Sequence, residues 1–129
     1  MAVILVVEDE EQVRVLAESY LEGQGHQVLS AGTLQGAMAL LEKTSHVDLV
    51  FTDLELKGDI AAGIELARQA VGRLPHLKVL YTTGRDLTDG MKARFVENSA
   101  FLAKPYTVEE LLTTLSVHFK ISSQAPRKS

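Results

Sequence analysis

The feature that most constrains this chain is an alternation of short apolar runs with longer amphipathic stretches. The first run, VILVV at Val3–Val7, is rich in β-branched residues and has no polar position, which is typical of a strand buried on both faces. Four more short runs follow, at 27–31, 49–52, 78–83 and 100–103. Because strands that alternate with helices form parallel sheets, the pattern predicts an α/β domain with helices on both faces of its sheet.

The stretches between and after these runs predict five helices, each with apolar residues at helical spacing. The first should end near Gly23, since glycine commonly follows the last turn of a helix. Thr33 and Thr107 are suitable N-caps for the second and the last helix. The fourth helix is expected to be short, at 91–95, because Gly90 weakens it.

Composition excludes several classes of protein. A chain of 129 residues that is 46% apolar is one ordinary domain with a real core. Its formal charge of −4 argues against nucleic acid or an anionic membrane as a partner. There is no cysteine, and no apolar run is long enough for a signal peptide or a membrane span. We therefore expect a soluble cytoplasmic domain at 1–121, followed by a disordered polar tail at 122–129.

Mostly polar residues stand at the ends of four of the predicted strands. In chain order they are Glu8 and Asp9, Asp53, Thr83 and Gly84, and Lys104 and Pro105. The carboxyl ends of parallel strands share one edge of the sheet, where ligands bind in such folds. Three neighbouring carboxylates stay ionised together only if a cation joins them, and an all-oxygen ligand set favours Mg²⁺ over zinc.

The motifs that carry these residues are VVEDE, FTDLEL, YTTGR and FLAKPY. In this order and at these strand ends they resemble the four landmarks of the response-regulator receiver domain, the CheY-like phosphoacceptor of two-component signal transduction. The resemblance extends from Val3 to about Lys120. It implies a flavodoxin-like, doubly wound, five-stranded parallel sheet of order 2-1-3-4-5 with five helices.

The resemblance also implies a phosphoacceptor and a metal site. Asp53 would be the nucleophile that takes a phosphoryl group from a histidine kinase or a histidine phosphotransfer protein. Asp9 would ligate Mg²⁺ directly, Glu8 would do so through water, and Asp53 and the backbone carbonyl of Glu55 would be further ligands. Such a domain is not an enzyme in the ordinary sense, since it catalyses only its own phosphorylation and dephosphorylation.

Further roles follow from the same resemblance. Thr83, beside Gly84, and Lys104 would bind oxygens of the phosphoryl group, and the Lys104–Pro105 bond would be cis. Phe101 stands where the family often has tyrosine, and it would turn inward on phosphorylation to switch partner binding. The face formed by the fourth helix, the fifth strand and the fifth helix would then bind an unknown downstream protein, and a homodimer is left open.

Two further positions are expected to tune the lifetime of the phosphoryl group. Glu55 and Arg85 each stand two residues after a site residue, so we predict that they flank the phosphoryl group and tune the rate of its loss. The alternative is a pair of exposed side chains worth little to each other. The segment LELKGDIAAG lacks the family's proline and is longer before Gly63, which leaves the shape of this loop open.

Three alternatives to a phosphoacceptor are compatible with parts of the pattern. A degenerate receiver could act only as a docking module, although every expected active-site residue is present. An aspartate-nucleophile phosphatase would have a second aspartate where this chain has Glu55, together with a cap domain. A nucleotide or flavin binder would need a phosphate-cradling loop after the first strand, where four acids stand instead. Glu8 and Asp9 alone could be ordinary helix-start acids, so it is the coincidence of all the motifs that favours the phosphoacceptor.

Overall fold

A computed structural model describes residues 1–122, which form five strands and five helices in strict alternation. The strands are β1 (Val3–Val7), β2 (Gln27–Ala31), β3 (Leu49–Asp53), β4 (Lys78–Thr83) and β5 (Ser99–Ala103). The helices are α1 (Glu11–Gly23), α2 (Leu34–Lys43), α3 (Ala62–Arg73), α4 (Asp89–Lys92) and α5 (Val108–Phe119). All pairings are parallel and the order is β2-β1-β3-β4-β5, which confirms the predicted fold class.

Burial across the sheet follows from this order. The central strands β1 and β3 are buried along their whole length, whereas β2 is half-buried at four of its five positions because it lies at an edge. In the register, Ile4 pairs with Leu49, and Tyr81 on β4 pairs with Phe101 on β5. The continuous apolar runs therefore mark the middle of the sheet, as expected for strands covered on both faces.

Two layers of helices cover the sheet. One core packs the apolar side of β1 and β3 against α1 and α5, with Leu21 and Leu115 at its centre. The opposite core packs the other side against α2 and α3, with Leu41 and Leu66 fully or almost fully buried. The packing of both faces leaves the carboxyl edge of the sheet open for polar side chains.

Two helix starts are fixed by threonine caps, as the sequence predicts. The Thr33 hydroxyl accepts a hydrogen bond from the Gly36 backbone N–H at 2.9 Å. At α5 the Thr107 hydroxyl accepts from the Glu110 N–H, and the Glu110 carboxylate accepts from the Thr107 N–H, at 3.0 and 2.9 Å. This reciprocal pair is a capping box, which satisfies two backbone donors at once.

The expected position of the fourth helix is wrong. The helix begins at Asp89 rather than residue 91, because the Thr88 hydroxyl accepts from the Met91 N–H and caps it earlier. It ends at Lys92, and beyond it the Val96 N–H donates to the buried Tyr81 hydroxyl at 3.1 Å. The Tyr81 and Phe95 rings also stack, with their centroids 4.1 Å apart. This aromatic contact helps to hold the chain after α4 in a non-helical conformation.

No helix among residues 1–122 has the length and apolar content needed to cross a membrane. The predicted tail falls on residues 122–129, and all of it after Ser122 lies outside the described residues. The boundary at residue 121 therefore stays a prediction.

Candidate functional site

The candidate site lies at the carboxyl edge of the sheet, where β1, β3, β4 and β5 end. Three carboxylates, from Glu8, Asp9 and Asp53, each place an oxygen within 4.8 Å of the others. Glu8 and Asp53 are only 4% and 7% exposed, whereas Asp9 is half-buried. Buried acids at such spacing repel one another unless positive charge compensates them.

Backbone donors orient each of these acids. The Glu10 N–H donates to Glu8 at 3.1 Å, and the Glu55 N–H donates to Asp53 Oδ1 at 3.0 Å. The Lys57 N–H donates to Asp9 Oδ2 at 3.0 Å, from a loop distant in sequence. These bonds do not exhaust the acids as acceptors, because each carboxylate oxygen can accept more than one hydrogen bond.

Lys104 provides the compensating charge among the described residues. Its ammonium lies 2.6 Å from Glu8 Oε1 and 2.6 Å from Asp53 Oδ2. Burial acts to lower the lysine's pKa, but the hydrogen bonds to Asp53 and Glu8 outweigh it and raise that pKa, so the ammonium stays charged. Burial raises the pKa of Glu8 despite this contact. The ammonium contacts two of the three clustered carboxylates, and one positive charge beside three acids favours the binding of a further cation.

The Asp9 carboxylate is the most accessible of the three acids. Its partial burial acts to raise the pKa, but hydrogen bonds from the Lys57 backbone and with Glu8 hold the pKa below its usual value. Asp9 is therefore ionised near neutral pH. An all-oxygen set with an ionised, partly exposed member suits Mg²⁺, which binds to one or two carboxylates and keeps several waters.

A polar pocket of about 260 Å³ opens beside the acids. Its lining includes Asp9, Asp53, Glu55, Thr83, Arg85 and Lys104, and Gly84 also contributes. Thr83 is buried at the end of β4, and its hydroxyl accepts from the Arg85 N–H at 3.2 Å. The Lys104–Pro105 peptide bond is cis. The predicted site residues other than Glu8, Phe101 and Pro105 thus line one pocket, and Glu8 contacts the pocket through Lys104.

Glu55 and Arg85 form an ion pair across the mouth of this pocket. The Arg85 Nε donates to Glu55 Oε1, with the arginine side chain 61% and the glutamate side chain 30% exposed. The sequence alone leaves open whether these two side chains pair, and the structure pairs them. Its effect on a phosphoryl group stays a prediction.

Phe101 lies outside the pocket of the acids. It lines a wider adjoining cleft of about 850 Å³, together with Leu87 and Phe95, and is half-buried. Thr83, Gly84 and Lys104 line both cavities. The cleft therefore connects the aromatic side chain to the acids through Thr83.

The loop whose shape the sequence left open forms a tight hairpin after β3. Leu56 and Asp59 exchange backbone hydrogen bonds at 3.1 and 3.0 Å, and Lys57 and Gly58 between them have φ of 54° and 83°. Two successive positive φ values are typical of a type I′ turn. Glycine is favoured at the second central position of such a turn, which here is Gly58. The tip of this hairpin supplies the Lys57 N–H that holds Asp9.

Three residues that are not among the predicted site residues also support the site. The Arg14 side chain donates to the Glu8 backbone carbonyl, the Lys57 backbone donates to Asp9, and Gly63 packs against the backbone of Asp53. Only Lys57 had a sequence signal, since KGD between apolar residues indicates a turn.

Comparison with known proteins agrees with this geometry. The family model for the response regulator receiver domain matches residues 4–116. The KDP operon transcriptional regulatory protein KdpE of Escherichia coli (strain K12) is 34% identical over 119 residues, covering 91% of this chain and 51% of KdpE. Protein PilG of Pseudomonas aeruginosa is 29% identical, covering 89% of this chain and 85% of PilG. The chain spans about half the length of several of the curated relatives it matches.

Solved structures show the same fold. A response regulator receiver protein from Sinorhizobium medicae WSM419 superposes with a TM-score of 0.81 at 26% identity, covering 92% of this chain and 94% of that one. The receiver domain of the hybrid histidine kinase CckA gives 0.74 at 28% identity, covering 90% and 97%. The sheet order, the strand-end motifs and these matches lead to one conclusion: the chain belongs to the response regulator receiver domain family of two-component signal transduction.

Proposed function

We propose that this domain accepts a phosphoryl group on Asp53 from a phosphohistidine of a histidine kinase or a histidine phosphotransfer protein. Receiver domains are signalling modules that interact with such partners and generally bind Mg²⁺ at an acidic cluster. The observation that carries the proposal is the placement of the Asp53 carboxylate, 2.6 Å from the Lys104 ammonium and beside Glu8 and Asp9.

The acids are suited to hold Mg²⁺. Asp9 and Asp53 would ligate it, Glu8 would act through water, and the Glu55 backbone carbonyl would be a further ligand. Bound Mg²⁺ would neutralise charge that develops on the transferred phosphoryl oxygens. Glu8 and Asp9 are fixed by backbone donors, so the chain itself provides a prearranged set of oxygens.

The transfer step needs positioning and charge neutralisation more than covalent assistance. An Asp53 oxygen forms a bond to phosphorus as the phosphorus–nitrogen bond of the donor breaks, and the electron pair leaves with the imidazole, which takes up a proton. Lys104 would pair with one phosphoryl oxygen, and the Thr83 hydroxyl would donate to another. The product is an aspartyl phosphate, a known outcome when a carboxylate is the nucleophile.

This function predicts that acetyl phosphate and Mg²⁺ label the chain once, with an acid-stable and base-labile acyl phosphate. Removal of Mg²⁺ by a chelator should abolish the labelling, because Asp9 and Asp53 then repel the incoming dianion. The measurement is intact mass with and without chelator, followed by peptide mapping. A chain that takes no label at any Mg²⁺ concentration would support the docking-only alternative instead.

The Glu55–Arg85 ion pair predicts a second result. If the pair screens the acyl phosphate from water, Glu55→Ala and Arg85→Ala should each lose phosphate faster, by about two- to fivefold for a pair so exposed. Loss is followed by mass after rapid removal of the donor. Arg68→Ala is the control, since Arg68 forms a similarly exposed pair with Glu65 on α3. Unchanged rates in both pocket variants would rule out the screening role.

The output of the domain would be a change in what its surface binds. A dianion on Asp53 would draw the Thr83 hydroxyl toward it, and Phe101 could then turn into the space that Thr83 leaves. Thr83 and Phe101 would link the pocket to the face of α4, β5 and α5, where we place the unknown downstream target and any homodimer contact.

We place the domain in the cytoplasm, since a chain without cysteine is compatible with a reducing compartment.

A further inference from the structure

Arg14, on the first turns of α1, has a contact that its charge alone does not explain. Its Nη1 donates to the backbone carbonyl oxygen of Glu8 at 2.8 Å. The nearest carboxylate recorded for it, that of Glu18 one turn along the helix, lies 4.0 Å from Nε. The side chain is only 22% exposed. The guanidinium thus hydrogen-bonds to a peptide group just after β1 and forms no close ion pair among the described residues.

That peptide group sets the direction in which the chain leaves β1 toward Asp9. The Glu8 N–H donates to the Ala31 carbonyl on β2 at 3.1 Å, and the Glu8 carbonyl accepts from Arg14. Because the Glu8 carbonyl and the Asp9 nitrogen share one planar peptide unit, fixing the carbonyl fixes where Asp9 begins. Arg14 therefore fixes the orientation of the peptide unit between Glu8 and Asp9.

Gly32, in the loop between β2 and α2, provides the space for this guanidinium. A methyl group at Gly32 would lie 2.9 Å from Arg14 Nη1, and 3.8 Å from both its Cζ and the Glu8 carbonyl oxygen. Gly32 is not among the glycines with positive φ, so its backbone does not require glycine. The absence of a side chain at Gly32 leaves space for the Arg14 guanidinium beside the Glu8 carbonyl.

We propose that Arg14, seated in the space left by Gly32, is a positioning residue that sets the geometry of the Glu8–Asp9 pair and thereby its affinity for Mg²⁺. The proposal rests on the Mg²⁺ site of the proposed function. It predicts that two residues that touch no ligand oxygen and lie on different elements act as one unit. Residues that orient a metal ligand from behind are commonly worth about 10–100-fold in metal affinity.

The test is a double-mutant cycle on the full chain, with Mg²⁺ alone as the probe. Arg14→Ala and Gly32→Ala should each weaken Mg²⁺ binding by about tenfold. The double variant should bind no more weakly than Arg14→Ala, because without the guanidinium the new methyl group displaces nothing. Binding is measured by calorimetry and by the backbone amide resonances of residues 8–10, neither of which requires phosphorylation.

Stability provides a second measurement in the same variants. Gly32→Ala displaces only the end of a flexible side chain, so its urea midpoint should stay near that of the wild type while Mg²⁺ affinity falls. Gly72→Ala is the matched control, since a methyl group there meets nothing within 4 Å, and it should bind Mg²⁺ like the wild type. If Arg14→Ala does not fold, the contrast between Gly32→Ala and Gly72→Ala still decides the proposal.

The outcomes separate this proposal from the one on which it rests. A wild-type chain that does not bind Mg²⁺ at residues 8–10 overturns the metal site itself. A wild type that binds, with both single variants binding equally well, overturns only the role of Arg14. Additive losses in the double variant also overturn it, because they would mean that Arg14 and Gly32 act separately.

Discussion

Asp53→Asn is expected to abolish phosphorylation by acetyl phosphate. The carboxamide is a poor nucleophile, and Asp53 is the acid that contacts Lys104 while lining the open pocket. The fold should survive, with a stability within about 1 kcal/mol of the wild type, for two reasons. The amide oxygen can still accept the Glu55 N–H, and Lys104 keeps its contact with Glu8. The measurements are intact mass after labelling and urea unfolding followed by circular dichroism.

Asp86→Asn is the matched control for this substitution. Asp86 is exposed and lines the adjoining cleft, but it has no place among the three clustered acids. It should be labelled like the wild type. Undiminished labelling of Asp53→Asn would move the phosphoacceptor to another carboxylate, and peptide mapping would identify which one.

Gly63→Ala is expected to destabilise the fold by about 2–4 kcal/mol, a large share of the roughly 5–15 kcal/mol typical of a domain. A methyl group at this position would lie 2.1 Å from the Asp53 carbonyl oxygen and 2.8 Å from the Leu54 Cα. Both are backbone atoms at the end of β3, so neither can move aside as a side chain could. The Gly63 N–H also donates to the Leu54 carbonyl at 2.9 Å, and separating α3 from β3 would break that bond.

The same substitution elsewhere on α3 should have the opposite effect. Gly72 is exposed near the end of the helix and a methyl group there meets nothing within 4 Å. Gly72→Ala should therefore stabilise the chain, by up to about 1 kcal/mol, through helix propensity. Urea midpoints of the two variants test the pair, and a Gly63→Ala variant as stable as Gly72→Ala would show that α3 does not pack as closely on β3 as described.

The fold could be predicted because its signals are local. Each strand is a short apolar run and each cap is a threonine just before a helical pattern, so neighbouring residues in the sequence carry the information. The sheet order came from the family resemblance rather than from the residues. The convergence of the acids on Lys104 then followed from a general rule about parallel sheets, in which the carboxyl ends of the strands meet.

The supporting contacts could not be predicted, because they depend on long side chains and on close packing between distant segments. Nothing in the sequence near Arg14 indicates that it reaches the Glu8 carbonyl, since an arginine on α1 is ordinarily a solvated charge. Gly63 looked like a loop residue, and its need for glycine arises only from the approach of the Asp53 backbone. The expected end of α4 at residue 95 was wrong for the same reason, because the Val96 N–H donates to Tyr81 across 15 residues. The earlier start of α4 follows instead from the local Thr88 cap.

The contact between Tyr81 and the segment after α4 has a consequence for how this domain could diversify. Helix α4 has no buried residue of its own, and in the chain that follows it two contacts go to one residue of β4: Phe95 stacks on Tyr81 and the Val96 N–H donates to the Tyr81 hydroxyl. Such a segment can open locally without global unfolding. Its opening equilibrium can then be adjusted by substitutions at a single core position that lies outside the acid pocket. Selection could in this way retune how readily one surface rearranges while leaving the phosphoacceptor chemistry unaltered.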